Sequence, residues 1–299
     1  MSNAGAASFD QEIRQQVREF YDSVGWQQIG DGLYQNARYE DLRPVSQEYI
    51  HRCHLRVKRY LPAAGQLLLD AGSGPIQYPE YLEYSQGYEH RVCLDISRLA
   101  LVEARNRIGE HGFYIVGDIS RLPFATGVFT GVVSLHTIHH VPTERQGEAF
   151  RELHRVQEER GRAVVVYSWG GHSLLMRIFR SPIRLAEKMI ARRLDHRTVQ
   201  EPQESDEIKS LLQASGTFAE HYDRKWIRHQ LERLPQYDIV VWRSVSTAFL
   251  RALVHRWAFG RAFLRLLYSV EEMVPHLMGR VGQYPMIVFG KDRPSGGGR

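Results

Sequence analysis

Three aspartates stand at the ends of apolar runs in the first half of this chain. Asp70 closes the first run and precedes the turn Gly72-Ser73-Gly74, Asp95 closes a second run, and Asp118 closes a third. Carboxylates at such positions accept hydrogen bonds from hydroxyl groups or attract a cation, and glycines let the backbone approach a ligand closely. The pattern therefore predicts a site for a ligand that carries both hydroxyl groups and positive charge.

The residues around the glycine turn disfavour a dinucleotide. A pyrophosphate needs backbone N–H donors at a helix N-terminus, but Pro75 has no N–H and Asp70 would repel the anion. Gln77 also stands where the last glycine of G-x-G-x-x-G would be. These features argue against a nicotinamide-dependent dehydrogenase. The carboxylate of Asp70 instead suits a cationic ligand such as S-adenosylmethionine, which carries a sulfonium and an ammonium group.

The elements that would position these acids alternate between strands and helices. Apolar runs predict five strands: Leu67–Asp70, Arg91–Asp95, Phe113–Asp118, Phe129–Leu135 and Arg162–Tyr167. Two further strands are predicted over 237–242 and 283–290, and helices are predicted over 97–108 and 145–157. This alternation indicates an open, mostly parallel sheet with helices on both faces, which binds ligands at the carboxyl ends of its strands.

Taken together, these segments resemble the class I S-adenosylmethionine-dependent methyltransferases, in the small-molecule group that includes the ubiquinone and menaquinone biosynthesis enzymes. The resemblance rests on Asp70–Gly74, Asp95-Ile96, Gly117–Ile119, Leu122–Phe124 and Ser134–Val141. It covers roughly residues 45 to 170 and implies an α/β, Rossmann-like sheet of seven strands. One departure is Ile76, which stands where the family often has a third glycine.

The same resemblance implies roles for individual residues. The turn and Asp70 would hold the methionine part of S-adenosylmethionine, Asp95 its ribose hydroxyls, and Asp118 its adenine amino group. The full set of implied cofactor-binding residues is Asp70, Gly72, Ser73, Gly74, Asp95, Ile96, Asp118, Ile119, Ser134 and Leu135.

Three histidines follow the fourth strand, where the family places active-site residues: His136, His139 and His140. A neutral histidine accepts a proton near pH 7. His136 is the first choice as base or substrate ligand because it comes earliest after the strand. A histidine in this position can also simply bond the backbone. No metal site is predicted, because no cysteine or carboxylate completes a zinc ligand set.

Candidate substrate-binding residues come from several segments. They are Tyr21 and Arg43 from the N-terminal segment, Tyr167 and Trp169 after the fifth strand, and Tyr222 beyond it. Trp26 and Tyr34 are further candidates in the N-terminal segment. Ordinary packing is the alternative for each of these residues.

The chain divides into four predicted parts. Residues 1–44 form an N-terminal lid segment and 45–170 the cofactor-binding core. Residues 171–228 form a helical cap insertion, and 229–293 hold the last strands with a second helical insertion over 243–282. Basic helices are predicted over 173–193 and 249–268, and shorter ones over 206–212 and 226–234. Residues 1–4 are interpreted as a cloning remnant and 294–299 as a flexible tail.

Charge is uneven along the chain. Residues 1–170 carry 18 Lys and Arg against 21 Asp and Glu, whereas residues 171–299 carry 21 against 13. The basic half could attract an anionic substrate, a membrane surface or nucleic acid, or form a solvated helix face. Two cysteines, no transmembrane run and no signal peptide predict a cytoplasmic protein without an integral membrane segment.

The leading hypothesis is a methyltransferase for an anionic or aromatic small molecule, in the biosynthesis of a specialised metabolite. The methyl group would go to oxygen, nitrogen or carbon by in-line displacement. A binding role, or other chemistry on the same fold, remains an alternative. An RNA methyltransferase is disfavoured because no separate RNA-binding module is present, so no nucleic-acid partner is expected.

Overall fold

The computed structural model describes residues 3–26, 40–195, 218–232, 234 and 236–291. Its strands are β1 (Gly65–Ala71), β2 (Tyr88–Asp95), β3 (Gly112–Val116), β4 (Phe129–Leu135), β5 (Gln157–Val166), β6 (Gln236–Arg243) and β7 (Tyr284–Gly290). They form one sheet in the order β3-β2-β1-β4-β5-β7-β6. Only β7 runs antiparallel to its neighbours. The predicted α/β, mostly parallel sheet of seven strands is confirmed.

Nine α-helices are described: α1 (Asn3–Phe20), α2 (Gln47–Arg56), α3 (Arg98–Ile108), α4 (Thr143–Arg155), α5 (Leu174–Asp195), α6 (Arg224–Leu231), α7 (Thr247–Leu253), α8 (Gly260–Met273) and α9 (Pro275–Val281). A π-helical turn over Tyr21–Gly25 follows α1. The helix predicted over 206–212 lies outside the described residues. None of the described helices has the length and apolar character needed to cross a membrane.

The region predicted to be helical over 249–268 contains two separate helices, α7 and α8. The chain leaves α7 at Leu253, makes a 3-10 turn over Arg256–Ala258, and begins α8 at Gly260. Between them, Phe259 has a φ of 54°, a left-handed conformation that stops a right-handed helix from continuing.

Apolar packing forms clusters on both sides of the sheet and one outside it. One face of the sheet packs against α4 and α6, and the other against the 3-10 turn after α2 and the residues before β2. A separate cluster joins α2, α5, α7 and α8 around Phe249 and Leu250. We call α5, α7 and α8 the helical layer. Its helices pack mainly on α2 and on one another.

The topology brings the functional end of the sheet together. The carboxyl ends of β1, β2, β3, β4, β5 and β6 point the same way, and antiparallel β7 begins at that edge. Tyr284, the first residue of β7, is paired with Arg243, the last residue of β6. Side chains from all seven strand ends can therefore meet around one cavity.

Candidate functional site

A cavity of about 460 Å³ opens at the carboxyl edge of the sheet. Its walls come from the loops after β1, β2, β3 and β4, from the N-terminal segment, and from the ends of β6 and β7. A volume of this size falls in the range of small-molecule and cofactor sites. The predicted cofactor-binding residues line this cavity except for Ser134, whose side chain is buried in the sheet.

The turn after β1 needs glycine for two reasons. Gly72 and Gly74 have φ angles of 77° and 54°, which L side chains rarely adopt. A Cβ at Gly72 would also overlap the side chain of Thr137 in the loop after β4. Ile76 has a φ of 55° although it is β-branched and fully buried. The chain thus keeps the glycine-type conformation at the position where the resemblance leads one to expect glycine.

Asp70 lines the cavity, but its charge is already paired. The carboxylate of Asp70 is 3% exposed and forms an ion pair with Arg91, which is fully buried on β2. Arg91 also donates to the Tyr81 carbonyl at 2.6 Å. Sequence reasoning treated Asp70 as an unpaired negative charge. In the structure the charge of Arg91 balances that of Asp70, so the attraction of Asp70 for a cation is reduced.

Asp95 is held by two backbone donors. The N–H groups of Gly74 and Ser97 each donate to its carboxylate at 2.9 Å. Burial raises the pKa of Asp95 to about 6, and these two hydrogen bonds limit the rise. This carboxylate is therefore poised to change charge just below neutral pH. Ile96 lies beside it in the cavity wall.

Asp118 lies in the turn after β3 rather than in the strand. Its carboxylate accepts hydrogen bonds from the backbone and hydroxyl of Ser120, at 2.8 and 2.7 Å. Arg14 of α1 forms a 3.0 Å ion pair with the other carboxylate oxygen. Ile119 follows in the cavity wall.

The N-terminal segment lies across the cofactor loops. Besides the Arg14–Asp118 ion pair, Asp22 accepts a hydrogen bond from Ser97, and the ring of Trp26 lies against Gly74. Tyr21 and Trp26 stack at 5.0 Å and both line the cavity. Trp26 thus lies in the cavity wall as the sequence suggested, whereas Tyr34 falls outside the described residues.

The three histidines after β4 all line the cavity in different ways. Nδ1 of His140 lies 2.7 Å from the Phe218 carbonyl oxygen, and Nε2 lies 3.0 Å from the Tyr21 hydroxyl. Because a carbonyl only accepts, Nδ1 carries the proton and Nε2 accepts from the Tyr21 hydroxyl. Burial lowers the pKa of His140 to about 4, so its imidazole is neutral at pH 7.

Among the residues that the structure describes, His136 and His139 have no comparable polar partner. Burial, with Arg243 nearby, lowers the pKa of His136 to about 3, and its ring packs edge-on against Trp242 and Tyr284. Its φ of 55° places it in the left-handed region. His139 stacks on His221 at 4.6 Å, and burial lowers its pKa well below the ordinary value.

Beyond His136, the cavity has a wall of aromatic rings and a buried ion pair. Arg243 is 2% exposed, pairs with Glu40, and lies over the rings of Tyr284 and Trp242 at 4.7 and 5.2 Å. Burial would raise the pKa of Glu40, but Arg243 and His54 outweigh it and hold that pKa far below its usual range. Tyr78 and Tyr81 complete this wall.

Two buried donors in this wall lack an acceptor within the described part of the chain. They are Nε of Arg243 and Nε1 of Trp242. A buried N–H without an acceptor costs about 1–3 kcal/mol. Both residues line the cavity, but these two N–H groups are themselves shielded from it, so they would reach an acceptor on a bound molecule only after the side chains shift.

Comparison with known proteins identifies the part of the chain that builds the cofactor loops. Residues 69–165 match a family model described as a methyltransferase domain. These residues therefore form a methyltransferase domain. The stretches that carried the resemblance in the sequence lie within this match.

Two curated methyltransferases are each similar to part of the chain. A malonyl-[acyl-carrier protein] O-methyltransferase of Legionella pneumophila is 32% identical over 125 residues, covering 41% of this chain and 43% of that protein. The ubiquinone/menaquinone biosynthesis C-methyltransferase UbiE of Roseobacter denitrificans is 33% identical over 128 residues, covering 39% and 50%. The chain thus spans half or less of the length of these relatives.

A solved structure shares the fold beyond the methyltransferase domain. Phosphoethanolamine N-methyltransferase 1 of Haemonchus contortus, solved with phosphoethanolamine and S-adenosylhomocysteine, aligns with 97% of this chain and 51% of its own. The TM-score is 0.57 and the identity 10%. At that identity the likeness concerns the fold alone.

The cofactor of such a domain is S-adenosylmethionine, and the residues present fit it. The cradle at Gly72 and Gly74 is kept free of side chains, and Asp95 faces the cavity with lone pairs beyond the two that accept backbone N–H groups. Ile96 and Ile119 supply apolar surface for a flat ring. These are the chemical features that an adenosyl group with ribose hydroxyls requires.

Four of the five predicted substrate-binding residues lie away from the cavity, and these expectations are corrected. Arg43 pairs with Asp41 at 2.7 Å and donates to the Leu250 carbonyl at 2.7 Å. Only Tyr21 of this set lines the cavity.

Tyr167 and Trp169 miss the cavity because the chain directly after β5 packs into the core, whereas Tyr222 is half-buried and packs outside the cavity. Tyr167 is fully buried and its hydroxyl donates to Gln146 at 3.1 Å. Trp169 is 2% exposed, and its indole N–H donates to the Gly279 carbonyl. Tyr222 stacks on Trp226 at 4.1 Å.

The helical insertions contribute little to the cavity. From the described part of residues 171–228, Ala219 and His221 reach its wall, and from 243–282 the first residue, Arg243, does so. None of the described cavity-lining residues comes from the helical layer.

Proposed function

We propose that the chain transfers a methyl group from S-adenosylmethionine to a small molecule bound beyond His136. The observation that carries the proposal is the single cavity, which joins the glycine turn and the strand-end acids to the Tyr21–His140 pair. Bound S-adenosylmethionine supplies an electrophilic methyl group on a sulfonium. The protein must then hold the acceptor atom in line and receive any proton it loses.

We further propose that His140 receives that proton through Tyr21. His140 is neutral at pH 7, its Nε2 accepts from the Tyr21 hydroxyl, and the Phe218 carbonyl fixes its tautomer. A substrate hydroxyl that donates to the Tyr21 oxygen could pass its proton along this line. Because the low pKa makes His140 a weak base, the arrangement suits an acidic hydroxyl, such as a phenol or enol.

The aromatic wall supports a substrate that is flat and carries an acidic oxygen. Arg243 already covers the faces of Tyr284 and Trp242, so a cationic substrate would meet a guanidinium there. If binding shifts these side chains, the N–H groups of Arg243 Nε and Trp242 Nε1, which lack an acceptor in the described part of the chain, would suit an oxygen acceptor. We therefore propose an aromatic or conjugated acid as substrate. We also propose small-molecule biosynthesis in a reducing compartment as its setting, which the free, buried Cys53 and Cys93 suit.

Two measurements test this function. Calorimetry should show binding of S-adenosylhomocysteine in the micromolar range and no tight binding of NADH. Turnover with methyl-labelled S-adenosylmethionine and a panel of phenols and aromatic acids should give labelled product. Trp242→Phe keeps the ring but removes the donor, so it should raise KM for the acidic acceptors by about fivefold to tenfold and leave cofactor affinity unchanged. Tight NADH binding without adenosyl binding would refute the proposal.

A further inference from the structure

The helical layer presents apolar side chains to solvent in an ordered way. On α5, Leu174, Ile178, Leu185 and Met189 are 53%, 72%, 63% and 50% exposed. Their separations of four, seven and four residues place them on one face of the helix. This face is distinct from the one that packs inward through Phe179 and Ile183. Core packing therefore does not account for it.

A second exposed apolar stripe lies on α8 and extends into the turn before it. Phe263, Leu266 and Met273 follow one another at spacings of three and seven residues and are exposed. In the turn before α8, Trp257 and Phe259 are 82% and 83% exposed. Exposed apolar side chains that lie together in a patch, rather than singly, are typical of an interaction surface.

Basic residues flank both stripes. On α5 the exposed cations are Arg177, Arg180, Arg184, Lys188 and Arg192, and they follow one another at spacings of three or four residues. Between Leu174 and Arg192 the one acid is Glu187. Residues 246–270 add four arginines and contain no Asp or Glu. One of these, Arg265, pairs with Glu48 at 2.9 Å.

The two stripes belong to one side of the molecule. Phe179 of α5 contacts Phe249 of α7 at 5.1 Å, and Phe249 in turn contacts Phe263 of α8 at 6.3 Å. None of the described residues of these helices lines the cavity. The helical layer therefore has an outward surface that the proposed methyl transfer does not use.

We propose that the outward surface of the helical layer docks on an anionic lipid bilayer. A helix with an exposed apolar face bordered by Lys and Arg lies in the plane of the interface, where its apolar side chains enter the lipid and its cations meet anionic headgroups. Arginine stems also extend along the apolar boundary while their charges stay in water. The layer provides both components side by side.

Charge favours lipid over the other occupants of such a surface. A second copy of this chain would bring one cationic face against another, which costs energy because the five exposed cations of α5 have only Glu187 among them. A nucleic acid would satisfy the arginines but would not bury Ile178, Trp257 or Phe259. An anionic membrane is the partner that accommodates both the charges and the apolar side chains.

Vesicle co-sedimentation of the full chain tests the proposal. With vesicles of equal parts phosphatidylglycerol and phosphatidylcholine at about 0.1 M salt, the protein should sediment. Affinity for pure phosphatidylcholine should be about tenfold lower or weaker, and raising the salt to about 0.5 M should weaken binding to the anionic vesicles. Equal binding to both vesicle types, or none to either, would overturn the proposal.

Surface variants show whether this face is the one that binds. Trp257→Ser with Phe259→Ser, and separately Ile178→Ser with Leu185→Ser, should each reduce anionic vesicle binding about tenfold. Val102→Ser, an exposed position on α3, is the matched control and should bind like the unchanged protein. Unaltered binding by both double variants would refute the assignment of this face.

Two further readouts separate the competing partners and the proposed function. A concentration-dependent dimer in solution that both double variants abolish would assign the face to a second copy instead. Tighter binding to a single-stranded RNA than to anionic vesicles would assign it to nucleic acid. Calorimetry with S-adenosylhomocysteine on the same variants should give unchanged affinity. The membrane proposal can therefore fail while the cofactor site is intact, and the reverse also holds.

Discussion

Cofactor affinity should depend on pH through Asp95. Its carboxylate is 8% exposed, and burial raises its pKa to about 6 in the ligand-free protein. Ribose hydroxyls donate more strongly to the ionised carboxylate than to the protonated acid. Binding therefore favours ionised Asp95, and affinity should fall as the pH drops below about 6.

The size of the effect follows from the fraction of ionised Asp95. At pH 7.5 nearly all of it is ionised, whereas at pH 5, one unit below its pKa, roughly a tenth is. The Kd for S-adenosylhomocysteine should rise about tenfold between these values, which is about 1.4 kcal/mol. Asp95→Asn should bind about 2–4 kcal/mol more weakly at pH 7.5. The Kd of the Asp95→Asn variant should also differ little between pH 5 and pH 7.5.

Isothermal titration calorimetry at the two pH values is the direct assay, and thermal unfolding of the free protein is its control. The pKa of Asp95 is raised above the unfolded value of about 3.9, so its contribution to stability is full below pH 4 and is lost as the pH rises through 6. Asp95 thus makes binding and stability change with pH in opposite directions. A Kd that is equal at pH 5 and 7.5, or an undiminished change in Asp95→Asn, would refute this account.

Three further substitutions test other parts of the site. His140→Ala should lower kcat about 10²–10⁴-fold with little change in S-adenosylhomocysteine affinity, and wild-type kcat in this variant would exclude a proton-transfer role. Arg91→Met should lower the free energy of unfolding by about 3–5 kcal/mol in urea titrations, because it leaves Asp70 buried without a partner; adding Asp70→Asn should restore part of the loss. Gly72→Ala should lower the free energy of unfolding by about 1–3 kcal/mol, because of its positive φ and the overlap with the neighbouring loop. Gly171→Ala, which meets open space, should leave that free energy unchanged in the same urea titrations.

The strands and the cofactor loops could be predicted because local pattern determines both. Apolar runs that end in an acid mark a strand and its carboxyl end, and parallel topology brings Asp70, Asp95 and Asp118 to one edge. What the sequence did not reveal was the charge pairing. Arg91 stands directly before the apolar residues Val92–Leu94, and only the register of β2 against β1 brings it to Asp70.

Tyr167 and Trp169 were predicted to reach the substrate because the sequence does not show how far the backbone hydrogen bonds between β5 and β7 continue. The N–H of Tyr167 donates to the Pro285 carbonyl and that of Trp169 to the Gln283 carbonyl, each at 3.0 Å. The chain therefore stays beside β7 past the end of β5. Both side chains consequently enter the core instead of the cavity.

Trp242, Arg243 and Tyr284 were missed for a related reason. About forty residues separate the ends of β6 and β7 in the sequence, which hides the fact that the two ends are paired neighbours. A signal was present, because an arginine that closes an apolar strand has no ordinary place in a core. Combined with the strand order of this fold, it would have pointed to the cavity.

The position of Tyr21 has a consequence for the timing of the reaction. Tyr21 is carried by the same short segment as Arg14, Asp22 and Trp26, which contact the three cofactor loops. If this segment lifts, His140 loses its hydroxyl partner at the moment the cofactor loops are uncovered. Water would then reach the sulfonium only while His140 is unable to accept a proton through Tyr21. A reactive methyl donor would be exposed only while the machinery for its transfer is incomplete.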